Sequence, residues 1–331
     1  MKNYKIFSKK KFNIRSILKR LLIFLGFKKL SYIIIHLILS LILKTKIPFL
    51  RSVVFDYHKK ISEIFFFTNK YGEKFGLFAN DNIISKELFV SEEFDLKKLI
   101  KTLNFLNKKG KIKNLYDIGA NIGSICIPAV KRNLVETAFA VEPVSKNFQL
   151  LRINVILNNL DEKIKPFNFA LSSEDDQNLD MELASDNSGD HRIRLNKSDT
   201  NLYDEEKRKT EKVKTKKFDT LFQNLNRDSD LVWIDTQGFE PVILSGAQNL
   251  LKSKTPIVIE FWPYGLKRNN LWEQMRKTLE MFNYFSDLSE EKIILKKINK
   301  ESLDELFSGW EKEKKNQHAL FTDLLLINNN I

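Results

Sequence analysis

A chain of 331 residues, 43% hydrophobic and 29% charged, can bury a large core, and with only 11 Gly and 7 Pro it is neither collagen-like nor Gly/Pro-rich and disordered. The lone cysteine, Cys126, excludes an intramolecular disulfide, and the four histidines have no zinc-finger spacing. The formal charge of +13 is lopsided: residues 1–60 carry 15 Lys/Arg against the single acid Asp56, and the remaining 271 residues are close to neutral, so the body has no net positive charge, which disfavours a nucleic-acid binder.

In chain order, the leader comes first. Ile14, Leu18, Leu21, Leu22 and Leu25 repeat at helical spacing with Arg15, Lys19 and Arg20 between them, the pattern of a basic amphipathic helix. A second apolar run covers residues 30–43, and at 1.5 Å per residue it spans about 21 Å, short of the roughly 30 Å hydrocarbon core. A signal peptide fits poorly, because the basic region is long and no small-residue cleavage site follows. Aliphatics rather than stacking aromatics interleave the charges, which argues against an RNA-binding arm. Two readings stand for residues 1–50. One is a membrane-surface anchor whose lysines meet anionic headgroups, each worth about 1 kcal/mol; the other is a pair of helices packed on the body or on a partner subunit.

From residue 64 to 89, aromatic runs broken at Tyr71-Gly72 and at 80–82 predict hairpins. A helix follows with the stripe Leu96, Leu99, Ile100, Leu103 and Leu106, capped by Asp95 and ended by Gly110. Beyond it, strands are predicted at 112–118, 138–141, 163–169, 231–235 and 257–261, with helices at 124–131, 145–158 and 242–251. Pro128 makes the first of those helices short or kinked. Alternation of this kind implies a parallel sheet covered on both faces. Residues 197–217 are a mixed-charge run without an apolar face, which reads as a solvated loop.

The segment Leu115-Tyr-Asp-Ile-Gly-Ala-Asn-Ile-Gly-Ser124 ends a strand and turns through Gly119 and Gly123 into a helix, so backbone amides can approach a ligand there. It lacks the glycines of a dinucleotide fingerprint and the Gly-Lys-Ser/Thr of a phosphate loop. Glu142, at the tip of the next strand, can accept both hydroxyls of a ribose. Asp117 beside the turn repels phosphate and suits a cation, such as the ammonium and sulfonium of S-adenosylmethionine.

Taken in order, D-I-G-A-N-I-G-S (117–124), V-E-P with Asn154 and Asn158 on the next helix, N-F-A-L-S (168–172), W-I-D-T-Q-G-F-E (233–240) with S-G-A (245–247), and P-I-V-I-E (256–260) resemble the FkbM family. These are S-adenosylmethionine-dependent methyltransferases of the Rossmann-like class, acting mostly on hydroxyl oxygens. The resemblance covers residues 114–261, and weakly on to 326. It implies an α/β fold with a mostly parallel seven-stranded sheet in the order 3-2-1-4-5-7-6, flanked by helices, whose antiparallel last strand would be 321–327. It also implies that Asp117, Gly119, Ala120, Asn121 and Gly123 line the methionine end of the cofactor, Glu142 its ribose, and Asn168 and Ala170 its adenine edge. Trp233 stands where many members carry a lysine.

Asp235 and Glu260 fall at the carboxyl ends of successive strands, where such sheets bind ligands, and Glu240 lies five residues past Asp235. One of the three can act as general base, or two can hold a divalent cation that lowers the hydroxyl pKa. Glu240 can instead cap a helix. His191, in the polar stretch 185–193, is a rival base in a loop expected to border the acceptor.

These observations divide the chain into a helical leader (1–50), a hairpin-and-helix lead-in (51–110) and an FkbM-like domain (111–331). The expected activity is O-methylation of a saccharide or lipid-linked glycan by a cytoplasmic protein, peripheral on the inner membrane face through residues 1–50 if these bind anionic lipid, with nucleic acid disfavoured as a partner. Two alternatives are a membrane-anchored scaffold that keeps the fold without catalysis, and an RNA or protein methyltransferase.

Overall fold

The computed structural model describes residues 47–108, 110–195, 207–312 and 320–328. The expected leader helices and the first part of the 197–217 run lie outside the described residues. The chain divides into two units, residues 1–57 and 58–331. In the first, the described residues form most of a helix, α1 (Pro48–His58), with proline at its first position, where a missing N–H costs nothing.

The second unit opens with the hairpin β1 (Ile64–Thr68) and β2 (Lys74–Phe78), paired from Ile64 with Phe78 to Thr68 with Lys74. The second hairpin expected before residue 89 does not form. Asp81 accepts the N–H groups of Ile83 and Ser85, both at 3.0 Å, and this start makes residues 84–91 a helix, α2 (Ile84–Ser91). In α3 (Leu96–Leu106) the predicted stripe is buried except at Ile100, which is half-buried, but Asp95 does not cap the helix: φ is +50° and its carboxylate meets Lys98 Nζ at 3.0 Å.

The alternation then runs β3 (Asn114–Ile118), α4 (Cys126–Lys131), β4 (Thr137–Val141), α5 (Ser145–Leu157) and β5 (Ile164–Phe167). An excursion follows through β6 (Ala170–Leu171), β7 (Asn178–Leu183), β8 (Arg192–Ile193) and β9 (Lys209–Lys216), a separate four-stranded sheet in the order β6-β9-β7-β8. Return to the main layer brings α6 (Phe218–Leu221), β10 (Asp230–Ile234), α7 (Glu240–Ser245), α8 (Gln248–Ser253), β11 (Ile257–Phe261), α9 (Pro263–Arg268) and α10 (Trp272–Leu279). The described chain closes with β12 (Tyr284–Asp287), β13 (Lys296–Lys297), α11 (Lys300–Lys312) and β14 (Thr322–Ile327).

The main sheet has the order β5-β4-β3-β10-β11-β14-β12-β13. Its first five strands are parallel, and β14 runs antiparallel to both neighbours. Numbered by chain position, the seven longer strands stand 3-2-1-4-5-7-6, and the two-residue β13 makes the sheet eight-stranded rather than seven-stranded.

Side-chain alternation gives this sheet two unlike faces. Tyr116, Ile118, Val232, Ile234, Ile257 and Ile259 point to one side, into a core shared with Ile243, Leu244, Leu250 and Met275. Register puts Asp117 beside Trp233, Trp233 beside Val258, and Glu260 beside Asp323, so three carboxylates share the other face.

Three expectations need correction. The helix expected over 242–251 is broken at Gly246, whose backbone lies so close to the Ser172 carbonyl that a Cβ would stand 2.1 Å from its oxygen. The strand expected over 163–169 is shorter, ending at Phe167, and Ala170 and Leu171 just beyond its expected end pair with Thr215 and Lys216 outside the main sheet. Residues 209–216 of the mixed-charge run are a strand: β9 pairs along all of β7, and Val213 and Thr215 alone are buried.

Two asparagines, Asn154 on α5 and Asn158 at its C-terminal cap, fasten the hairpin to the domain. Asn154 accepts the Gly76 N–H at 2.6 Å and donates to Gly76 O (3.2 Å) and Ile122 O (2.9 Å), and Asn158 treats Lys74 in the same way at 3.0 and 2.7 Å. Side chains four apart on a helix rise about 6 Å, close to two residues of strand, so the amides imitate a neighbouring strand along the free edge of β2.

Candidate active site

The site is built on the turn after β3. Gly119 and Ala120 donate their N–H groups to Val141 O at 2.9 and 3.0 Å, drawing the turn against the end of β4. Gly119 has φ +91°, and a Cβ there would sit 1.9 Å from Asp235 O. Asn121 takes φ +52°, a conformation its short amide tolerates, and its Oδ1 accepts the Ile122 N–H at 2.8 Å. Its Nδ2 donates to Ser188 O at 2.7 Å, and Asn147 donates to the same oxygen at 3.3 Å. Ser188 is also held by Asp81, at 2.6 Å. The 185–191 loop therefore roofs the glycine turn.

Glu142 accepts the Asn121 N–H on Oε2 at 2.9 Å and the Val144 N–H on Oε1 at 2.8 Å, which leaves a lone pair on each oxygen. Burial pushes its carboxyl up to about 7, against the pull of those two N–H groups. Asp117 is 2% exposed, and its Oδ2 has no hydrogen-bond partner. Burial raises it to about 6, the Cys126 thiol and N–H lowering it again in part. A buried carboxylate oxygen without a donor is costly unless a ligand supplies one.

Of the twelve residues singled out in the sequence, Asp117, Gly119, Ala120, Asn121, Glu142, Ala170, His191 and Asp235 line one cleft of about 880 Å³, open to solvent. Gly123, Asn168, Glu240 and Glu260 do not. Asn168 spends its Nδ2 on Glu142 O (2.9 Å) and Pro143 O (3.0 Å), clasping the β4 tip. Glu240 accepts the Thr236 N–H (2.8 Å), the Thr236 hydroxyl (3.0 Å) and the Gly238 N–H (3.3 Å) on a single oxygen, closing the 235–238 turn. Glu260 is covered beneath Gln237.

Asp235 keeps some exposure toward the cleft, yet burial, with the Asp323 carboxylate next, pushes it up to about 8. Glu260 is raised well above the carboxylate range by burial and by Asp235, Glu240 and Asp323. Asp323 is raised too, by burial, although Lys98 Nζ lies 2.7 Å from its Oδ2. Burial alone would lower Lys98, but Asp323 and Asp95 raise it overall and hold it charged.

His191 is not arranged as a base. Its Nδ1 accepts the Ala184 N–H at 3.0 Å, so the neutral ring carries its proton on Nε2, a donor. Burial lowers it to about 4. Nor do the carboxylates fit a divalent cation: among the described residues no group of three His, Cys, Asp or Glu side chains is arranged to hold a metal ion. Glu240 is spent on its turn, and an amide nitrogen bridges Asp235 and Glu260 where a cation would have to sit.

Residues the motif reading passed over also line the cleft. Phe94 and Asp95 enter from the loop before α3, Ser188 from the roof, and Trp233 and Gln237 from β10 and its turn. Trp233 and Gln237 stand in a quoted motif and Asp95 reads as a helix cap, but none of the five reads as a site residue in the sequence.

The FkbM methyltransferase domain model matches residues 117–286. No curated protein matches the sequence. Among solved structures, P. horikoshii TYW2 in complex with MeSAdo is similar at 14% identity and a TM-score of 0.37, covering 81% of this chain and 72% of that one. An FkbM methyltransferase from Methylobacillus flagellatus KT is similar at 13% identity and a TM-score of 0.39, covering 74% of this chain; the match spans 55% of that protein's length.

Proposed function

The chain belongs to the FkbM methyltransferase family, and from that premise we propose that it moves a methyl group from S-adenosylmethionine to a hydroxyl oxygen of a saccharide or lipid-linked glycan. The observation that carries the cofactor is Asp117 Oδ2, a buried acceptor without a donor, in the same cleft as the glycine turn and Glu142. When bound, S-adenosylmethionine supplies an electrophilic methyl group on a sulfonium. Asp117 and Glu142 would hold its cationic and ribose ends, and the Gly119 turn leaves room for close approach.

The chain's own part in the reaction is orientation and proton removal. Asp235 is the one carboxylate of the 235–260 cluster that faces the cleft, and its raised affinity for a proton suits a base working near neutral pH. Its free oxygen takes the acceptor hydroxyl proton as that oxygen attacks. An uncharged acceptor is supported by the lining: among the described residues it holds Asp95, Asp117, Glu142, Asp235 and a neutral His191, with no lysine or arginine, so phosphate-bearing acceptors are repelled. A lipid-linked acceptor is supported by the basic apolar leader. Flotation of the full chain with anionic vesicles, lost on removing residues 1–50, would support peripheral attachment to the inner membrane face; unaltered flotation counts against it.

Calorimetric titration of the full chain with S-adenosylmethionine tests the central claim. Micromolar binding, weakened tenfold or more (about 1.4 kcal/mol) in Glu142→Ala, is expected. No binding by the folded protein would overturn it.

A further inference from the structure

Resting on this reading of the cleft, we infer that Gln237 is a positioning residue: its side-chain amide bridges Asp235 and Glu260 and selects the oxygen of Asp235 that meets the acceptor hydroxyl. Gln237 is a non-glycine residue held at φ +58°, a conformation that costs about 1–2 kcal/mol and persists where surrounding bonds enforce it. Those bonds are present. Glu240 draws in Thr236 and Gly238 on either side, and the Gln237 N–H itself donates to Glu260 Oε2 at 3.0 Å.

In this conformation the two hydrogens of the side-chain amide divide between two acceptors. Nε2 lies 2.8 Å from Glu260 Oε1 and 2.9 Å from Asp235 Oδ1, and an amide nitrogen can make both bonds at once. Glu260 thus takes two donors from a single residue and fixes it, and the second amide hydrogen occupies Oδ1 of Asp235. Oδ2, which accepts no bond from the described residues, is left to the cleft.

Without this bridge the neighbourhood is repulsive. Asp235 feels Asp323, Glu240 and Asp95 as well as Glu260, while the cation among them, Lys98, is paired with Asp323 and Asp95. Like charges this close drive a side chain to another rotamer or to protonation, and an amide that donates to both carboxyl groups relieves both tendencies.

The test follows protonation directly and needs no acceptor. In the full chain labelled with ¹³C at aspartate carboxyls, Asp235, assigned through Asp235→Asn, should titrate near pH 8. The Gln237 side-chain amide resonances should move over the same range and cease to do so in Asp235→Asn. Gln237→Met keeps the length but removes both donors, so its Asp235 step should rise by about one pH unit or more, a tenfold change in proton affinity. An unshifted Asp235 in folded Gln237→Met, or Gln237 amide resonances indifferent to the Asp235 titration in the unmodified chain, would overturn the proposal. The second measurement holds even if the methionine variant does not fold. Calorimetry with S-adenosylmethionine on the same samples separates the two claims: failure of the unmodified chain to bind refutes the methyltransferase reading, while the titrations decide the bridge.

Discussion

At Gly119 two constraints meet, a left-handed φ and a carbonyl oxygen where a methyl would stand. Either is costly; together they make Gly119→Ala one of the most damaging single changes in the site, exceeding the ~1–2 kcal/mol of the backbone conformation alone because Asp235 must also move. We expect a lower denaturation midpoint and no measurable S-adenosylmethionine binding; an alanine variant with both unchanged would refute this account of the turn. The position was legible because glycine spacing after a strand has few other meanings. His191 and Gln237 show the opposite. A histidine in a polar loop reads as a base until its Nδ1 is found occupied, and a glutamine reads as nothing until the fold brings two carboxylates to it. Hydrogen-bond direction between residues 23 apart, as between Gln237 and Glu260, leaves no trace in one sequence.

Elements were legible where burial is continuous and illegible where one contact overrides a pattern. Strands β3, β10 and β11 are apolar runs buried on both faces, and their order follows from the alternation with helices. Strand β9 escaped because only two of its eight residues are buried, too few to register as alternation, and the break between α7 and α8 falls where the backbone of a distant segment, at Ser172, packs against Gly246. Asparagines on α5 and at its cap are a better guide than they first look. Polar residues in a helix interior are poor helix formers, and a pair four apart signals an obligation elsewhere, here the free edge of β2. Asn154→Ala leaves the Gly76 N–H and the Ile122 carbonyl without these partners in a fully buried place, so a loss of about 2–4 kcal/mol is expected in urea denaturation. Asn158→Ala, one turn nearer solvent, should cost less. Equal costs at the two positions would mean that the amides do not act as a graded edge.

The carboxylates of the cleft set how the whole molecule responds to pH. Asp117, Glu142 and Asp235 are raised to about 6, 7 and 8 from ordinary values of 3.8 and 4.5, burial being the first cause each time. Between the unfolded and folded values the native state binds more protons than the unfolded chain, so the stability these groups contribute is fully present below about pH 4 and is lost as pH climbs through 6 to 8. The thermal midpoint of the ligand-free protein should therefore fall from pH 5 to pH 8.5, and Asp235→Asn should flatten the upper part of that fall. In the proposed complex S-adenosylmethionine would bring its positive charge to the ionised carboxylates, so the midpoint increase it produces at fixed concentration should grow over the same interval. Thermal scans at pH 5, 6.5 and 8 with and without S-adenosylmethionine measure both slopes. If the ligand-induced increase were the same at all three values, the ammonium and sulfonium would not be meeting Asp117 and its neighbours, and the proposed placing of the cofactor would be refuted.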